Sequence, residues 1–331
     1  TIQHSYTPDF VLPNNGVILE VKGYWDPPSR RKIKQVIKEA NQIWIGEKSK
    51  VEMALLPVLC GGHLLIEDSP GVGKTTLAKA LGILLGINYS RISFTNDLLP
   101  GDILGTHIFS KKTEEFLFQK GPIFSNLILI DELNRATPKT QSALLQVMEE
   151  QKISIENKTF ELDEPFAVMA TQNPFGQIGT FPLPESQRDR FFISLSLGLP
   201  KREDEEKIIT NHKEEKNLVS LKPILSKQEI IEIKKHVFLL EVSSPLVHYV
   251  LDFIEFLRTQ EECNLPISPR CGKDLLLASK GRAFMEGRNY VIPEDVQAVL
   301  PFVVGHRLFY HQNIEKAQTY LKEMVHHVAI P

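Results

Sequence analysis

The sequence is poor in cysteine, in long apolar runs and in excess charge of either sign. Its 331 residues include three cysteines, Cys60, Cys263 and Cys271, too few and too far apart for a disulfide framework or a cysteine-rich zinc site. No apolar run approaches the roughly 18 residues that a membrane span needs, and no stretch is typical of a signal peptide. We therefore expect a cytoplasmic protein without a membrane-spanning segment.

The charges of the chain are nearly balanced. There are 38 lysines and arginines against 41 aspartates and glutamates, a net charge of -3. This balance gives no electrostatic basis for bulk binding to nucleic acid or to an anionic membrane. Hydrophobic residues make up 42% of the chain, which is ordinary for a globular protein, and the length suggests about two domains.

Short apolar runs alternate with helical stretches in the first half of the chain. Four of these runs are strand candidates, at residues 63–66, 89–94, 127–130 and 166–170. The alternation predicts an α/β domain built on a mainly parallel, buried sheet. A β-hairpin is predicted over residues 152–162, and from Pro200 onward charged helical patterns predict a second, all-helical domain.

A phosphate-binding loop is predicted directly after the first strand. It consists of Ser69, Pro70, Gly71, Val72, Gly73, Lys74, Thr75 and Thr76. A glycine-containing loop between a buried strand and a helix start directs backbone N–H groups at one point, which suits a polyphosphate. Lys74 would reach the β- and γ-phosphates of ATP, and Thr75 would bind Mg²⁺. Asp68 replaces the first glycine of the usual pattern and brings a carboxylate near the phosphates unless its side chain points away.

Polar residues follow the third and fourth strand candidates. Asp131 and Glu132 come directly after the apolar run 127–130. At the carboxyl edge of a parallel sheet, Asp131 would hold Mg²⁺, and Glu132 would polarise the water that attacks the γ-phosphate. Asn173 follows the next strand and would bind that water or the γ-phosphate, with a simple Asn-Pro turn as the alternative.

Arg190 lies far along the chain from the phosphate-binding loop, just before the last strand of the sheet. In a ring of subunits it would act on the neighbour's nucleotide as an arginine finger. A surface ion pair with Asp189 is the alternative, and the residues alone favour it.

Several motifs occur in one order along the chain, at residues 61–63, 70–75, 94–102, 120–124, 130–136, 170–174 and 183–191. In this order they resemble the MoxR family of AAA+ ATPases, from about residue 33 to residue 331. The resemblance implies an AAA+ α/β core over residues 33–199 and a helical lid over residues 200–331. It also implies ATP hydrolysis with Mg²⁺ in a ring, usually a hexamer.

The same resemblance implies roles for individual residues. Asn173 would be the first sensor and Arg190 the arginine finger, with Arg188 a weaker candidate. Arg270, in a Ser-Pro-Arg sequence, would be the second sensor and reach back to the γ-phosphate.

Three further segments resemble parts of the family. Residues 97–121 look like its insert in the second helix, and the hairpin at 152–162 like its pre-sensor hairpin; both would line the pore or face clients. Residues 304–308 resemble its His-Arg motif, which we expect to be structural.

The resemblance implies a chaperone-like protein that remodels or matures a protein client, often together with a von Willebrand factor A-domain partner. ATPase activity by itself does not identify the client protein. A nucleotide-gated binding adaptor with little turnover remains an alternative because of Asp68.

Residues 4–37 resemble a different family, the PD-(D/E)-x-K nucleases, and most closely phage endonuclease I. Asp9 and Glu20 would hold Mg²⁺, and Lys22 would position or activate a water. The nuclease fold also needs an upstream acidic helix and further strands downstream, and the sequence has neither. We therefore expect residues 1–32 to be an incomplete or fused fragment, with a Mg²⁺-dependent, structure-selective endonuclease as an alternative function. Nucleic acid binding is expected only through this fragment.

Overall fold

The computed structural model describes residues 28–155, 158–173, 179–210, 218–260, 267–308 and 313–330. Within these ranges an α/β region is followed by a helical lid. No helix in this part of the chain is long and apolar enough to cross a membrane. Residues 4–27 of the nuclease-like segment lie outside the described residues.

Nine strands lie within the described ranges. They are β1 Leu64–Glu67, β2 Tyr89–Ser93, β3 Gly105–Ser110, β4 Glu115–Lys120, β5 Leu127–Asp131, β6 Lys152–Ile155, β7 Lys158–Glu161, β8 Ala167–Gln172 and β9 Ile193–Leu195. Five of them form one parallel sheet in the order β2-β5-β8-β1-β9. The predicted parallel α/β fold is therefore confirmed, and the four strand candidates match β1, β2, β5 and β8 to within two residues at each end.

Both faces of this sheet are buried. In β1, Leu64 and Ile66 belong to one apolar cluster, and Leu65 belongs to the other. The same alternation occurs in β5 and β8, because successive side chains of a strand point to opposite faces. A strand covered on both sides needs apolar residues at every position, which explains the unbroken runs in the sequence.

Twelve helices lie within the described ranges. They are α1 Pro28–Ile43, α2 Lys48–Cys60, α3 Lys74–Leu84, α4 Pro100–Leu104, α5 Pro138–Glu150, α6 Glu185–Arg188, α7 Arg202–Thr210, α8 Lys227–Leu239, α9 Ser244–Thr259, α10 Pro269–Met285, α11 Pro293–Leu308 and α12 Ile314–Met324. Helices α1–α3 share an apolar cluster with α8–α12 on one face, while α4 and α5 cover the other.

Two antiparallel hairpins extend from the second face. The pairing of β6 with β7 confirms the predicted hairpin, whereas the pairing of β3 with β4 was not predicted within the segment 97–121. Phe118 of β4 stacks on Phe160 of β7 with ring centroids 4.4 Å apart. The two hairpins are therefore in direct contact.

Helix α1 begins at Pro28, within the segment assigned to a separate fragment. The guanidinium of Arg30 is buried and donates to the carbonyls of Gly287 and Arg288, each at 2.8 Å. The chain is thus packed against the lid from its first described residues.

Candidate active site

A cavity of about 830 Å³ opens at the carboxyl end of the central sheet. Strands β1, β5 and β8 end there, so the segments that follow them meet at one edge. The residues singled out from the sequence that line it are Asp68, Pro70, Gly71, Val72, Gly73, Lys74, Thr75, Thr76, Asp131, Glu132 and Asn173. Most of the predicted nucleotide site is therefore assembled in one place.

The loop between β1 and α3 depends on two glycines and one tryptophan. Gly71 and Gly73 have φ values of 89° and 81°, a conformation that favours glycine. A Cβ atom at Gly73 would also lie 2.9 Å from the ring of Trp44, whose indole N–H donates to the Val72 carbonyl at 3.1 Å. Helix α3 begins at Lys74 and leaves its first N–H groups available at the cavity. Trp44 is therefore a contact of this loop that the sequence motifs did not indicate.

The ammonium group of Lys74 is held by the loop that precedes it. It donates to the carbonyls of Asp68 at 2.9 Å and Ser69 at 3.1 Å. Burial lowers the pKa of Lys74, and the charges of Asp68, Asp131 and Glu132 oppose that effect. Ser69 does not line the cavity, and it contributes to the site through the contact of its carbonyl with Lys74.

Asp68 borders the cavity, but its carboxylate is directed at the segment after β9. One oxygen accepts from Ser196 Oγ at 3.0 Å and from the Gly198 N–H at 3.1 Å; the other accepts from the Leu197 N–H at 2.5 Å. With these partners the carboxylate is committed to the loop 196–198. The unusual residue at the first loop position therefore fastens the loop to the neighbouring strand.

Asp131 is paired with a residue that the sequence did not indicate. Its Oδ2 accepts from Nε of Arg91 on the adjacent strand β2 at 2.5 Å, and Arg91 also lines the cavity. A lone arginine in a strand carries no motif, so only the β2–β5 pairing reveals it.

The Thr75 hydroxyl and the Asp131 carboxylate are hard oxygen donors that suit Mg²⁺. Within the described ranges no group of three or more His, Cys, Asp or Glu side chains is arranged to hold a metal. The ion would thus take its other ligands from nucleotide phosphates and water.

Glu132 lies at the edge of the cavity in a left-handed conformation, with φ 58°. Its N–H donates to Thr171 Oγ1 of β8 at 3.0 Å, and its carboxylate accepts from Arg135 Nε at 2.7 Å. The backbone is thus fixed to the next strand, while the half-exposed carboxylate is held by a single neighbouring guanidinium.

A buried carboxylate at the end of β1 was also not predicted. Glu67, at the end of β1, accepts from Gln172 Nε2 at 2.7 Å. Burial raises the pKa of Glu67, and the hydrogen bond from Gln172 and the charge of Arg188 lower it. Arg188 is itself buried, which places this weaker finger candidate inside the molecule.

The structure places Arg190 and Arg270 together at Glu149. Neither is among the residues that line the cavity. Arg190 Nη2 lies 3.2 Å from Glu149 Oε2, and Arg270 donates to the other oxygen of Glu149. Arg270 does not line the cavity in this structure, because α10 begins beside the end of α5, and its contact with the γ-phosphate stays a prediction. Asp189 pairs with Arg307 instead of Arg190.

The residues of the nuclease-like fragment, Asp9, Glu20 and Lys22, lie outside the described residues. The model for the ATPase family associated with various cellular activities (AAA) matches residues 63–193, and the model for the AAA lid domain matches residues 255–324. Neither match includes this fragment.

Relatives cover most of the chain. The chaperone MoxR1 of Mycobacterium tuberculosis is 39% identical over 83% of this chain and 75% of its own. The protein YeaC of Bacillus subtilis is 36% identical over 90% of this chain and 94% of its own. A solved structure of a putative ATPase from Cytophaga hutchinsonii has a TM-score of 0.81 and 33% identity, over 91% of this chain and 96% of that one.

Proposed function

Because the chain belongs to the MoxR family of AAA+ ATPases, we propose that it hydrolyses ATP with Mg²⁺ in a ring of subunits and thereby remodels a protein client. Its family makes the chain an ATP hydrolase. The residue roles, the ring and the client are the proposal. The observation that supports the residue roles is the convergence of the phosphate-binding loop, Asp131, Glu132 and Asn173 on one cavity.

The cavity residues divide the work of phosphoryl transfer. Lys74 and the first turn of α3 would hold the phosphates, and Thr75 and Asp131 would hold Mg²⁺. Glu132 would accept the proton of the attacking water, and Asn173 would orient that water or the γ-phosphate. For this role the Glu132 carboxylate must contact the attacking water. It must therefore either release Arg135 or bind Arg135 and the water at the same time.

A further cation at the γ-phosphate would come from a neighbouring subunit. Arg190 and Arg270, the arginine pair, have partly exposed side chains and do not line the cavity of their own chain. An assembly in which the arginine pair faces a neighbour's cavity would complete each site at a subunit interface. We propose a closed ring, a hexamer as is usual for the family, and Arg190 as the finger.

Client binding is assigned to the β3–β4 hairpin. Ile108, Phe109, Phe116 and Leu117 are exposed on it, with Phe116 70% accessible. Exposed apolar side chains in such a group are typical of a protein-binding surface. A relative that is named a chaperone supports a protein client, and a von Willebrand factor A-domain protein is proposed as partner within the cytoplasm.

The domain division proposed from the sequence, with a core over 33–199 and a lid over 200–331, is retained as part of this proposal. The nuclease activity through Asp9, Glu20 and Lys22 is not, because no described residue and neither family match supports it.

Light scattering and phosphate release, measured in parallel, test this function. The protein should assemble on addition of ATP and Mg²⁺ and release phosphate continuously. Glu132→Gln should assemble and bind ATP but release phosphate at least about 100-fold more slowly, because it lacks the base. Lys74→Ala is the matched control and should lose ATP binding.

A monomer that never releases phosphate would contradict the proposal. Assembly with ATP but without sustained phosphate release would favour the nucleotide-gated adaptor. Hydrolysis by Glu132→Gln at the parent rate would remove Glu132 from its role.

A further inference from the structure

Arg307, near the end of α11, is a buried cation with an unusually complete set of acceptors. Only 4% of its side chain is exposed. Its Nε donates to Asp189 Oδ1 at 2.8 Å, and its Nη2 donates to Asp274 Oδ2 and to the Phe191 carbonyl. Its Nη1 donates to the Val303 carbonyl at 2.7 Å. A guanidinium is buried at acceptable cost only when its donors are satisfied in this way.

Both carboxylates that Arg307 binds belong to the segments that carry the arginine pair. Asp189 directly precedes Arg190. Asp274 follows Arg270 by four residues on α10, which is about one helical turn. Arg307 therefore lies behind the arginine pair and contacts the chain of each member.

A second contact joins the same two segments. Ser268 caps the start of α10 by accepting from the Cys271 N–H, and its hydroxyl donates to Asp189 Oδ2 at 3.0 Å. The carboxylate of Asp189 is thus held on one side by the lid helix α10 and on the other by α11. On the outer side, Glu149 receives both arginines.

We propose that Arg307 is a positioning residue for the arginine pair: its planar fork sets Asp189 and Asp274 so that Arg190 and Arg270 reach the neighbouring subunit's nucleotide in one geometry. This inference rests on the proposed function of the arginine pair in a ring. It gives the segment 304–308, expected to be structural, a role in hydrolysis at the adjacent site. The positioned arginines would stabilise the negative charge on the phosphoryl group during its transfer.

The first test is the kinetics of Arg307→Lys, which keeps the charge but loses the fork. We expect kcat for ATP to fall by about 10- to 100-fold, as for a misplaced catalytic group, with KM changed by less than about twofold. Arg288→Lys is the matched control. Its guanidinium forms a similar pair with the buried Asp295 of the lid, remote from the arginine pair, and kcat should be unchanged.

The second test separates positioning from a merely structural role by mixing subunits. Arg307→Lys keeps its own cavity, so mixing it with Lys74→Ala, which keeps its arginines, should restore phosphate release. Mixing it with Arg190→Ala should restore nothing, because neither supplies a working arginine pair. The reverse pattern would mean that Arg307→Lys damages its own cavity, and it would overturn the proposal.

A reference mixture of Arg190→Ala with Lys74→Ala distinguishes a failure of the Arg307 inference from a failure of the proposed function. If Arg190→Ala with Lys74→Ala recovers activity but Arg307→Lys with Lys74→Ala does not, only the role of Arg307 is refuted. If the reference mixture itself fails to recover, the action of Arg190 on a neighbour is refuted and the role of Arg307 with it. Should thermal unfolding show that Arg307→Lys does not fold, Asp274→Asn carries the same test with the same expected pattern.

Discussion

At the scale of single residues, the carboxylate of Asp68 shows how the phosphate-binding loop is anchored. Its oxygens accept three hydrogen bonds from residues 196–198, so the loop entry is joined to the segment after β9. Lys74 in turn is held by the Asp68 carbonyl. The residue acts on the nucleotide site through its backbone, and its side chain serves stability.

Asp68→Asn should therefore lower the free energy of unfolding by about 1–3 kcal/mol, because an amide NH₂ would face donors that the carboxylate now satisfies. Asp163→Asn is the control, since Asp163 forms an exposed pair with Lys227 that is worth less than about 1 kcal/mol. Chemical denaturation of both variants measures the difference. Equal stabilities would show that the Asp68 contacts contribute nothing.

The residues of the sequence motifs could be predicted because residue type and position after a strand indicate their chemistry. The loop 69–76 and the carboxylates Asp131 and Glu132 follow strands whose apolar runs are continuous. Arg91 and Trp44 could not be predicted, since their roles depend on which strand lies beside β5 and where α1 ends.

At the scale of elements, the two hairpins form one unit through aromatic packing. Phe118 and Phe160 stack, and both rings contact Phe124 at centroid distances of 5.9 and 6.3 Å. The β3–β4 hairpin that we assign to client binding is thereby connected to the β6–β7 hairpin, which follows α5. A force on one hairpin would therefore be transmitted to the other through these rings.

A double-mutant cycle of Phe118→Leu and Phe160→Leu should give a coupling free energy of about 0.5–1.5 kcal/mol, the range for aromatic pairs. Phe116, which pairs with Phe109, is the control partner. Phe116→Leu and Phe160→Leu should be additive to within about 0.5 kcal/mol, as expected without contact. Unfolding free energies supply both cycles, and additivity of the first pair would contradict the connection.

The strands of the central sheet were predictable because burial on both faces leaves an unbroken apolar run. The β3–β4 hairpin was not, since most of its residues are exposed and its apolar positions do not alternate regularly with polar ones. The β6–β7 hairpin was found because two short strand-like runs flank Glu156 and Asn157 in the sequence, and asparagine favours turns.

At the scale of the whole molecule, the lid and the core share one apolar cluster. That packing sets the start of α10 beside the end of α5, and so brings Arg270 to Arg190. The sequence places these arginines some 80 residues apart, by 270 minus 190, and nothing local predicts that they meet. Because neither arginine lines the cavity of its own chain, we propose a site shared between subunits.

The most direct test of this account is phosphate release by an equimolar mixture of Lys74→Ala and Arg190→Ala. Neither variant alone should hydrolyse ATP, whereas random mixing in a ring places a working cavity beside a working arginine pair at about a quarter of the interfaces. Lys74→Ala mixed with the double variant Lys74→Ala/Arg190→Ala is the control and should stay inactive. The account predicts recovery toward about a quarter of the parent rate if interfaces act independently. A mixture that co-assembles, as judged by light scattering, and remains inactive would contradict it.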